Sequence, residues 1–459
     1  MAADRLCERG FHSHMSALEE LSRMILLCRD YACDELSDLE ILNRFQSVRV
    51  LCTSDEHNLL SHAGQTALTT LVALLSRMGM QVQLKIPEVP LLQLQPPLRG
   101  NFLKEALLAS SESLITGAIV QSSPHSTPDL VFVLGDTRIK APGCPYWRLS
   151  GSDWRGSLSF EEHSSVPKWN GDWPVGAMVS AALAANEAFK YAMRQLPLRS
   201  KNQSVYFEAS QSCQFDFGSV PVRGDFLDLG AVDVISAGAI SQAALYVLVR
   251  IPSLTMRGRV FDDDLTGSSN QNRNMLTLSR DVGAFKVEVV AERCAHRLKL
   301  QPVPIRYSAT DAGTNLAPRV LVGVDDIPSR WEVQRQAPGL VLVSGTSHFN
   351  VSSSAHSLGE PCCGCLHPID DPGTGAIPTV SFVSFWAGLV MAVRLLREAL
   401  MCPYPAKQQH LWLTPLRMDQ PRAAIWLPVA PRTDCPVGCE SSRRKLRDSK
   451  YGQHTSHVL

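Results

Sequence analysis

Apolar positions along this chain recur with two periods, and the change from one to the other marks out its elements. Near the start, Ala17, Leu18, Leu21, Met24, Ile25 and Cys28 fall three and four residues apart, with Glu19, Glu20 and Arg23 between them. That spacing predicts an amphipathic helix. Ser37 can cap a second helix carrying Leu39, Ile41 and Leu42. The run Val48 to Cys52 then reads as a strand, followed by the polar turn Thr53 to His62, a helix over GQTALTTLVALLSRMG and a strand over QVQLKIP. Beyond the proline-rich connection Pro87 to Pro97, the pattern predicts a helix over Leu103 to Ala118 and a buried strand over Asp129 to Gly135. A loop-rich stretch from Trp147 to Trp173 and a long helix over PVGAMVSAALAANEAFKYAMRQL complete the first half.

The second half repeats this order. After a connector with one predicted strand at Val205 to Glu208, residues Leu229 to Lys286 read as strand, small-residue turn, helix, acid-ended strand and polar loop. Strands follow at Leu298 to Ile305, at Arg319 to Asp326 (RVLVGVDD) and from Gly339 (GLVLVSGT). Then come a Ser/His loop from His348 to Glu360, the cluster PCCGCLHP, an apolar helix over Ala376 to Leu400, strands near Leu411 and Ala424, and DCPVGC. Each half holds a βαβ unit, a strand of the VFVLGD or VLVGVDD type, a tryptophan-containing stretch, and a long helix introduced by proline and glycine. The expectation is an α/β protein of two tandem Rossmann-like units, at 46–200 and 201–440, behind an N-terminal helical arm at 1–45. The polar, basic tail 441–459 has no periodicity and is expected to be disordered.

Charge and cysteine content narrow the function classes. Among 459 residues, 44 Lys and Arg balance 44 Asp and Glu, which disfavours nucleic acid as a partner. The N-terminus lacks the pattern of a signal peptide, so a reducing cytoplasm is expected, where thirteen cysteines favour metal ligands and buried thiols over disulfides. The segment Gly373 to Val393 is uncharged and long enough to span a membrane, but Pro378, its Ser and Thr content and the charged continuation RLLREAL predict a core helix and no membrane contact.

The chemistry concentrates in the second βαβ unit. Its turn, SAGAIS, places Gly238 and Ala239 at the start of a helix, with one glycine where a strict dinucleotide fingerprint has three. Asp262 ends the next strand, Asp264 follows, and Ser269, Asn270 and Arg273 occupy the polar loop. Lys286 lies thirteen residues beyond Arg273, and Asp325 ends a later strand. An acid for a ribose, two cations and an amide for a triphosphate, and a carboxylate for magnesium are the parts of an ATP site. The first half has no glycine fingerprint and no acid at the equivalent strand end. Two cysteine pairs, Cys362-x-x-Cys365 and Cys435-x-x-x-Cys439, have the spacing of metal ligands, and Cys363 can substitute for Cys362.

On these residues the chain resembles the ThiF/MoeB and ubiquitin-activating enzyme family, whose pattern is a glycine turn, D-x-D, SN-x-x-R, a lysine thirteen residues on, and a strand-end Asp followed by Arg. Here those are SAGAIS, Asp262 with Asp264, Ser269-Asn270-Arg273, Lys286, and Asp325 with Arg330. The resemblance implies two tandem ThiF-type adenylation domains, the first degenerate, forming a pseudo-dimer within one chain. It implies ATP, Mg2+ and Zn2+, the zinc in a knuckle of Cys362, Cys365, Cys435 and Cys439. It implies adenylation of the C-terminal carboxylate of a ubiquitin-like or sulfur-carrier protein ending in glycine, followed by a thioester and by transfer to a conjugating enzyme. The arrangement resembles bacterial ubiquitin-like conjugation operons, with antiviral defence as the setting. Arg273, Lys286, Asn270 and Asp325 are then the residues about the phosphates and Asp262 the ribose ligand. Arg44, with Arg49 second, is the candidate for an arginine brought from the other half. Cys363 is the nearest spare thiol for the thioester, Cys294 and Cys402 are others, and His348 and His356 are candidates to line the adenylate. Two rival readings are a catalytically eroded scaffold of the same fold, which would not bind ATP, and a nicotinamide-dependent oxidoreductase, which has no need of Arg273 and Lys286.

Overall fold

The structure is a computed structural model that describes residues 15–92, 95–111, 114–122, 127–140, 143–160, 169, 173–218, 220, 226–308, 315–370 and 375–439. The expected tail at 441–459 and the first fourteen residues of the expected arm lie outside the described residues.

Two mixed sheets are built by the same rule. The first comprises β1 (Arg49–Thr53), β2 (Gln81–Lys85), β3 (Val120–Gln121), β4 (Leu130–Leu134), β5 (Tyr146–Gly151), β6 (Arg155–Phe160) and β7 (Ser212–Asp216), in spatial order β3-β2-β1-β4-β5-β6-β7. The second comprises β8 (Leu227–Ile235), β9 (Leu254–Phe261), β10 (Leu298–Val303), β11 (Arg319–Val322), β12 (Leu340–Ser347), β13 (Asn350–Ser357), β14 (His410–Leu413) and β15 (Ala424–Leu427), in order β10-β9-β8-β11-β12-β13-β14-β15. In each, the first five positions are parallel and the remainder antiparallel. The order reverses between β1 and β4, and again between β8 and β11. A crevice opens at the C-terminal strand ends at such a point.

Helices from both halves fill the space between the sheets. Val175–Arg194 packs on the His62–Ser76 helix of its own half and on Ser381–Ala399 of the other, which in turn packs on Ala239–Leu248. Ala177, Ala181, Ala184, Ala185 and Ala188 let this layer close up, and one apolar core runs through both halves. Phe189 stands at its centre, with ring centroids 5.4 Å from Phe45, 5.5 Å from Phe349 and 5.3 Å from Phe382. The arm is part of the same core, and its second helix, Asp38–Ser47, starts at Ser37 in a capping box with Glu40. The opposite face of the second sheet holds a smaller cluster of Ile235, Phe261, Val320, Val322, Val341 and Val343 under the Ile327–Arg335 helix.

Four expectations are corrected. The stretch from Trp147 is not loop-rich throughout, because β5 and β6 form an antiparallel pair, and β13 occupies most of the expected Ser/His loop. β6 and β13 are rich in serine, which has little intrinsic strand preference, so pairing to a neighbour rather than local propensity makes them strands. In β13 the buried Ser353 accepts from Ser344 Oγ at 2.8 Å, which satisfies a hydroxyl the core would otherwise leave unpaired. The segment expected as a strand at 205–208 lies mostly in a 3-10 turn, Lys201–Phe207. The helix expected to reach Ala118 ends at Ser111. Beyond residue 200, β7 hydrogen-bonds to β6 and is the edge strand of the first sheet. No helix among the described residues is long and apolar enough to cross a membrane.

A core shared in this way should melt as one unit. Phe189→Ala is expected to lower stability by about 3–5 kcal/mol, and calorimetry should show a single transition shifted to lower temperature rather than the loss of one half alone.

Candidate functional site

A charged concavity lies where the strand order of the second sheet reverses. It encloses about 500 Å³ and is lined by Ser236, Gly238, Ala239, Asp262, Asp264, Asn270, Arg273, Lys286 and Asp325. The structure therefore brings together every nucleotide-site residue expected from the sequence. Arg23, Arg306, Tyr307, Asp263, Asp326 and Thr346 complete much of the wall.

The turn after β8 is tight because Ser236 takes a positive φ of 81°, the conformation for which glycine is the usual residue. Its Oγ accepts from Gly238 N at 3.0 Å, and Gly238 precedes the first residue of the Ala239–Leu248 helix. A serine able to bond its own backbone thus replaces one of the missing glycines. Asp262 holds the turn from the next strand, one carboxylate oxygen accepting from Ala237 N at 2.7 Å and the other from Asp264 N at 2.9 Å. At the end of β11, Gly323 packs on the start of the same helix, where an added Cβ would come within 2.3 Å of Ser241 Oγ. The helix N-terminus faces the cavity at Gly238 and Ala239, an arrangement that favours an anion.

The polar loop after β9 is fixed by its own side chains. Asn270 Oδ1 accepts from Gly267 N at 2.9 Å. Arg273 donates to Ser269 O at 2.5 Å and to Asn272 Oδ1 at 2.8 Å. Burial, and then the nearby charge of Arg23, pull the Arg273 guanidinium down to about 10, so it stays protonated at neutral pH. Lys286, buried at the first turn of its helix, meets the exposed Asp264 at 2.5 Å. Asp325 is exposed on the wall, and Arg330 braces the turn before it by donating to Val324 O at 3.1 and 2.8 Å.

Two candidates drawn from the arm and the first strand are corrected. Arg44 is exposed on the Asp38–Ser47 helix and is not among the cavity residues, and Arg49 is tied to Asp129 at 3.1 Å. The arginine of the first half that does line the cavity is Arg23, on the Ser22–Arg29 helix, which donates to Ile377 O at 3.5 Å while its own carbonyl accepts from Thr379 N at 3.2 Å. Nothing in its local sequence separates it from any other polar position on an amphipathic helix.

The cysteines divide sharply. The sulfurs of Cys362, Cys365, Cys435 and Cys439 all lie within 4.8 Å of one another, with Cys362 to Cys435 at 3.3 Å and Cys365 to Cys439 at 3.4 Å. Four thiolates about 2.3 Å from one ion would sit about 3.8 Å apart, so this set fits a closed tetrahedral centre. Cys363 is not part of it and does not fit a nucleophile. It is 1% exposed, its thiol donates to Arg330 O at 3.3 Å, and burial pushes its pKa up to about 12, away from the thiolate that such a role needs. Cys294 is also buried and pushed up to about 12. Neither they nor Cys402 line the cavity. His356 does not line it either. It is buried in β13, its Nδ1 donating to Pro361 O at 2.9 Å and its Nε2 accepting from Ser354 Oγ at 2.8 Å, and burial lowers it to about 3. His348 is turned to Asp30 of the arm, at 3.1 Å.

The equivalent crevice of the first half is filled. Eight residues separate β1 from the His62–Ser76 helix, against three between β8 and Ala239, and they form an extra helical turn, Glu56–Leu59. The buried Asn58 on that turn donates to Asp55 Oδ1 at 2.9 Å, Asp136 Oδ1 at 3.0 Å and Thr137 Oγ1 at 3.2 Å, and accepts from Trp169 N at 3.1 Å. It lies against Gly135, the glycine that follows β4 as Gly323 follows β11.

Comparison with known proteins adds a family match in the first half. Residues 48–205 match the family described as BilD N-terminal domain. A relative from Sinorhizobium fredii, strain NBRC 101917 / NGR234, carrying the name "Uncharacterized protein y4jF", is 26% identical over 146 residues, 31% of this chain, and the chain spans 28% of that protein's length. Among solved structures, E. coli MccB with SeMet MccA aligns at a TM-score of 0.38 and 14% identity, over 45% of this chain and 66% of that one. MccB with ATP aligns at a TM-score of 0.37 and 14% identity, with the same coverage.

Two outcomes follow from the site's surroundings. One equivalent of a divalent metal per chain is expected on the thiolate tetrad, and Cys365→Ser or prolonged chelation should lower the melting temperature and release that metal, as read by elemental analysis. His356 is neutral when folded and takes up a proton on unfolding below its ordinary pKa of 6.5, so its contribution is complete above pH 6.5 and is lost as pH falls toward 3. The stability gap between the parent protein and His356→Gln should therefore shrink by about 2 kcal/mol from pH 7 to pH 5 in denaturant titrations.

Proposed function

We propose that this protein is an ATP-dependent adenylating enzyme of the ThiF type that activates the C-terminal carboxylate of a ubiquitin-like or sulfur-carrier protein ending in glycine. The observation that carries the reading is the convergence of Asp262, Asn270, Arg273, Lys286 and Asp325 on one cavity at the switch point of the second sheet. In the reaction an oxygen of the substrate carboxylate bonds to the α-phosphorus of ATP, and the bond from that phosphorus to the bridging oxygen breaks. An acyl adenylate forms and pyrophosphate leaves. The nucleophile is already ionised at neutral pH, so positioning and charge neutralisation are the protein's tasks.

Asp262, which already anchors the turn, receives the ribose. Arg273 and Asn270 hold the phosphates. Lys286 exchanges the exposed Asp264 for a phosphate oxygen, a better partner because it carries more charge and is itself in need of neutralising. Asp325 would hold Mg2+ by its carboxylate, an ion that would supply charge neutralisation for the pyrophosphate, and Arg23 brings a further cation from the N-terminal helix. The cysteine tetrad is assigned to Zn2+ and ties residues 435–439 to the segment around Cys362. The first half is inactive in this reading, because Asn58 fills its crevice. The acyl adenylate is discharged to a thiol, on this chain or on a conjugating enzyme, within a bacterial ubiquitin-like conjugation system serving antiviral defence in the cytoplasm.

The test is ATP–pyrophosphate exchange that depends on a small protein ending in glycine. Lys286→Ala and Asp325→Ala are expected to lower exchange by at least about a hundredfold, Arg23→Ala by about tenfold, and Arg44→Ala not at all. Bound nucleotide should saturate at one per chain. Exchange that survives both Lys286→Ala and Asp325→Ala would sink the site assignment, and no ATP binding at millimolar concentration would leave the fold as a scaffold.

A further inference from the structure

The two halves exchange one buried arginine each. Arg77 caps the C-terminus of the His62–Ser76 helix, four residues before β2, and Arg250 stands four residues before β9, beyond the Ala239–Leu248 helix. They occupy equivalent positions in the two halves, and each is almost fully buried. Each guanidinium enters the loop that follows the second strand of the other half. Arg250 donates to Gln95 Oε1 at 2.9 Å and Pro96 O at 2.6 Å, in the proline-rich connection after β2. Arg77 donates to Gln271 O, to Met275 O at 3.3 Å and to Thr277 O at 2.8 Å, in the polar loop after β9.

The two loops differ in content. The one held by Arg250 contributes nothing to the cavity, whereas the one held by Arg77 carries Asn270 and Arg273 into it. From the opposite side Gln242 grips the same loop, accepting from Leu276 N and Thr277 Oγ1 at 3.1 Å each and donating to Ala237 O of the glycine turn at 3.0 Å. The segment 271–277 is thus clamped between the turn of its own half and a cation of the other. A buried guanidinium without a carboxylate partner is costly unless several acceptors surround it, and three carbonyls in fork geometry fix the backbone on either side of Arg273.

We propose that Arg77 is the positioning residue of the phosphate-binding loop, so that the first half, whose own crevice at the strand-order reversal is filled by Asn58, sets the second half's affinity for the triphosphate. The inference rests on the nucleotide reading of the cavity. Asp262 and the glycine turn lie outside the segment that Arg77 holds, so nucleoside recognition is separable from phosphate recognition.

The experiment compares the full chain with Arg77→Met and Arg250→Met, measuring affinities for ATP with magnesium and for adenosine by equilibrium dialysis, and melting temperatures in parallel. Both variants remove a buried guanidinium between the halves and should lose thermal stability to a similar degree. Arg77→Met should weaken ATP by about tenfold or more, the equivalent of one charged hydrogen bond, while adenosine changes by less than about twofold. Arg250→Met should leave both affinities unchanged. The proposal is overturned if Arg77→Met weakens ATP and adenosine together, if it weakens neither, or if Arg250→Met matches it. Should Arg77→Met fail to fold, Arg77→Lys keeps the charge, loses the fork, and carries the same comparison. A parent protein that binds neither ligand would refute the nucleotide reading itself.

Discussion

The helical layer between the two sheets is the constraint from which the rest of the structure follows. Each sheet has an apolar face that water would penalise, and each is covered by helices that themselves need covering on their far side. Val175–Arg194 and Ser381–Ala399 meet each other's need, and Phe189 joins rings from the arm, the first half and the second. Neither half would retain a closed core alone. Several polar side chains that enter this layer are paired, one of these pairs across the halves: the buried Lys190 donates to Glu187 at 2.7 Å and to Ser210 Oγ at 2.7 Å, and Thr70 of the first half meets Tyr246 OH of the second at 3.1 Å. Breaking such a pair would leave an uncompensated group in a dry interior, which makes the relative placement of the halves specific as well as tight.

That fixed placement allows two sheets of one topology to diverge in what they do. Both have a crevice at the reversal of strand order. In the second it is open, walled by charge and faced by a helix N-terminus; in the first, one added helical turn and the amide of Asn58 fill it. A filled crevice releases its half from any demand on loop chemistry, and its parts become support for the neighbour. Arg23 reaches the cavity wall, and Arg77 holds the backbone beside Arg273. The division is one of geometry: the second half supplies most of the charged lining of its cavity, and the first half adds Arg23 and holds the backbone beside Arg273.

Much of this was legible along the chain because the information was local. The βαβ order follows from apolar periodicity, and Asp262, Asn270, Arg273, Lys286 and Asp325 were identifiable because they fall at fixed distances after a strand, a turn and a helix start. The cysteine quartet was legible for a similar reason, with each pair close in sequence and the two pairs flanking one helix. The serine-rich strands β6 and β13 were not, since their side chains have little strand preference and only hydrogen bonds to a neighbouring strand hold them extended. Arg23 was missed in favour of Arg44 and Arg49. Which face of which arm helix meets the cavity is decided by packing some 350 residues away in sequence, at Ile377.

The sequence by itself determined the fold class, the tandem repetition, the residues that line the cavity of the second half and the cysteine tetrad, because each is written in periodicity or in spacing that short-range geometry converts directly into position. The tertiary structure alone decided that the first crevice is closed, that Cys363 is a buried thiol rather than an accessible one, and that Arg77 and Arg250 cross between the halves. Those outcomes depend on burial and on which carbonyls end up without partners, and neither quantity exists until the two sheets have closed on their common layer of helices.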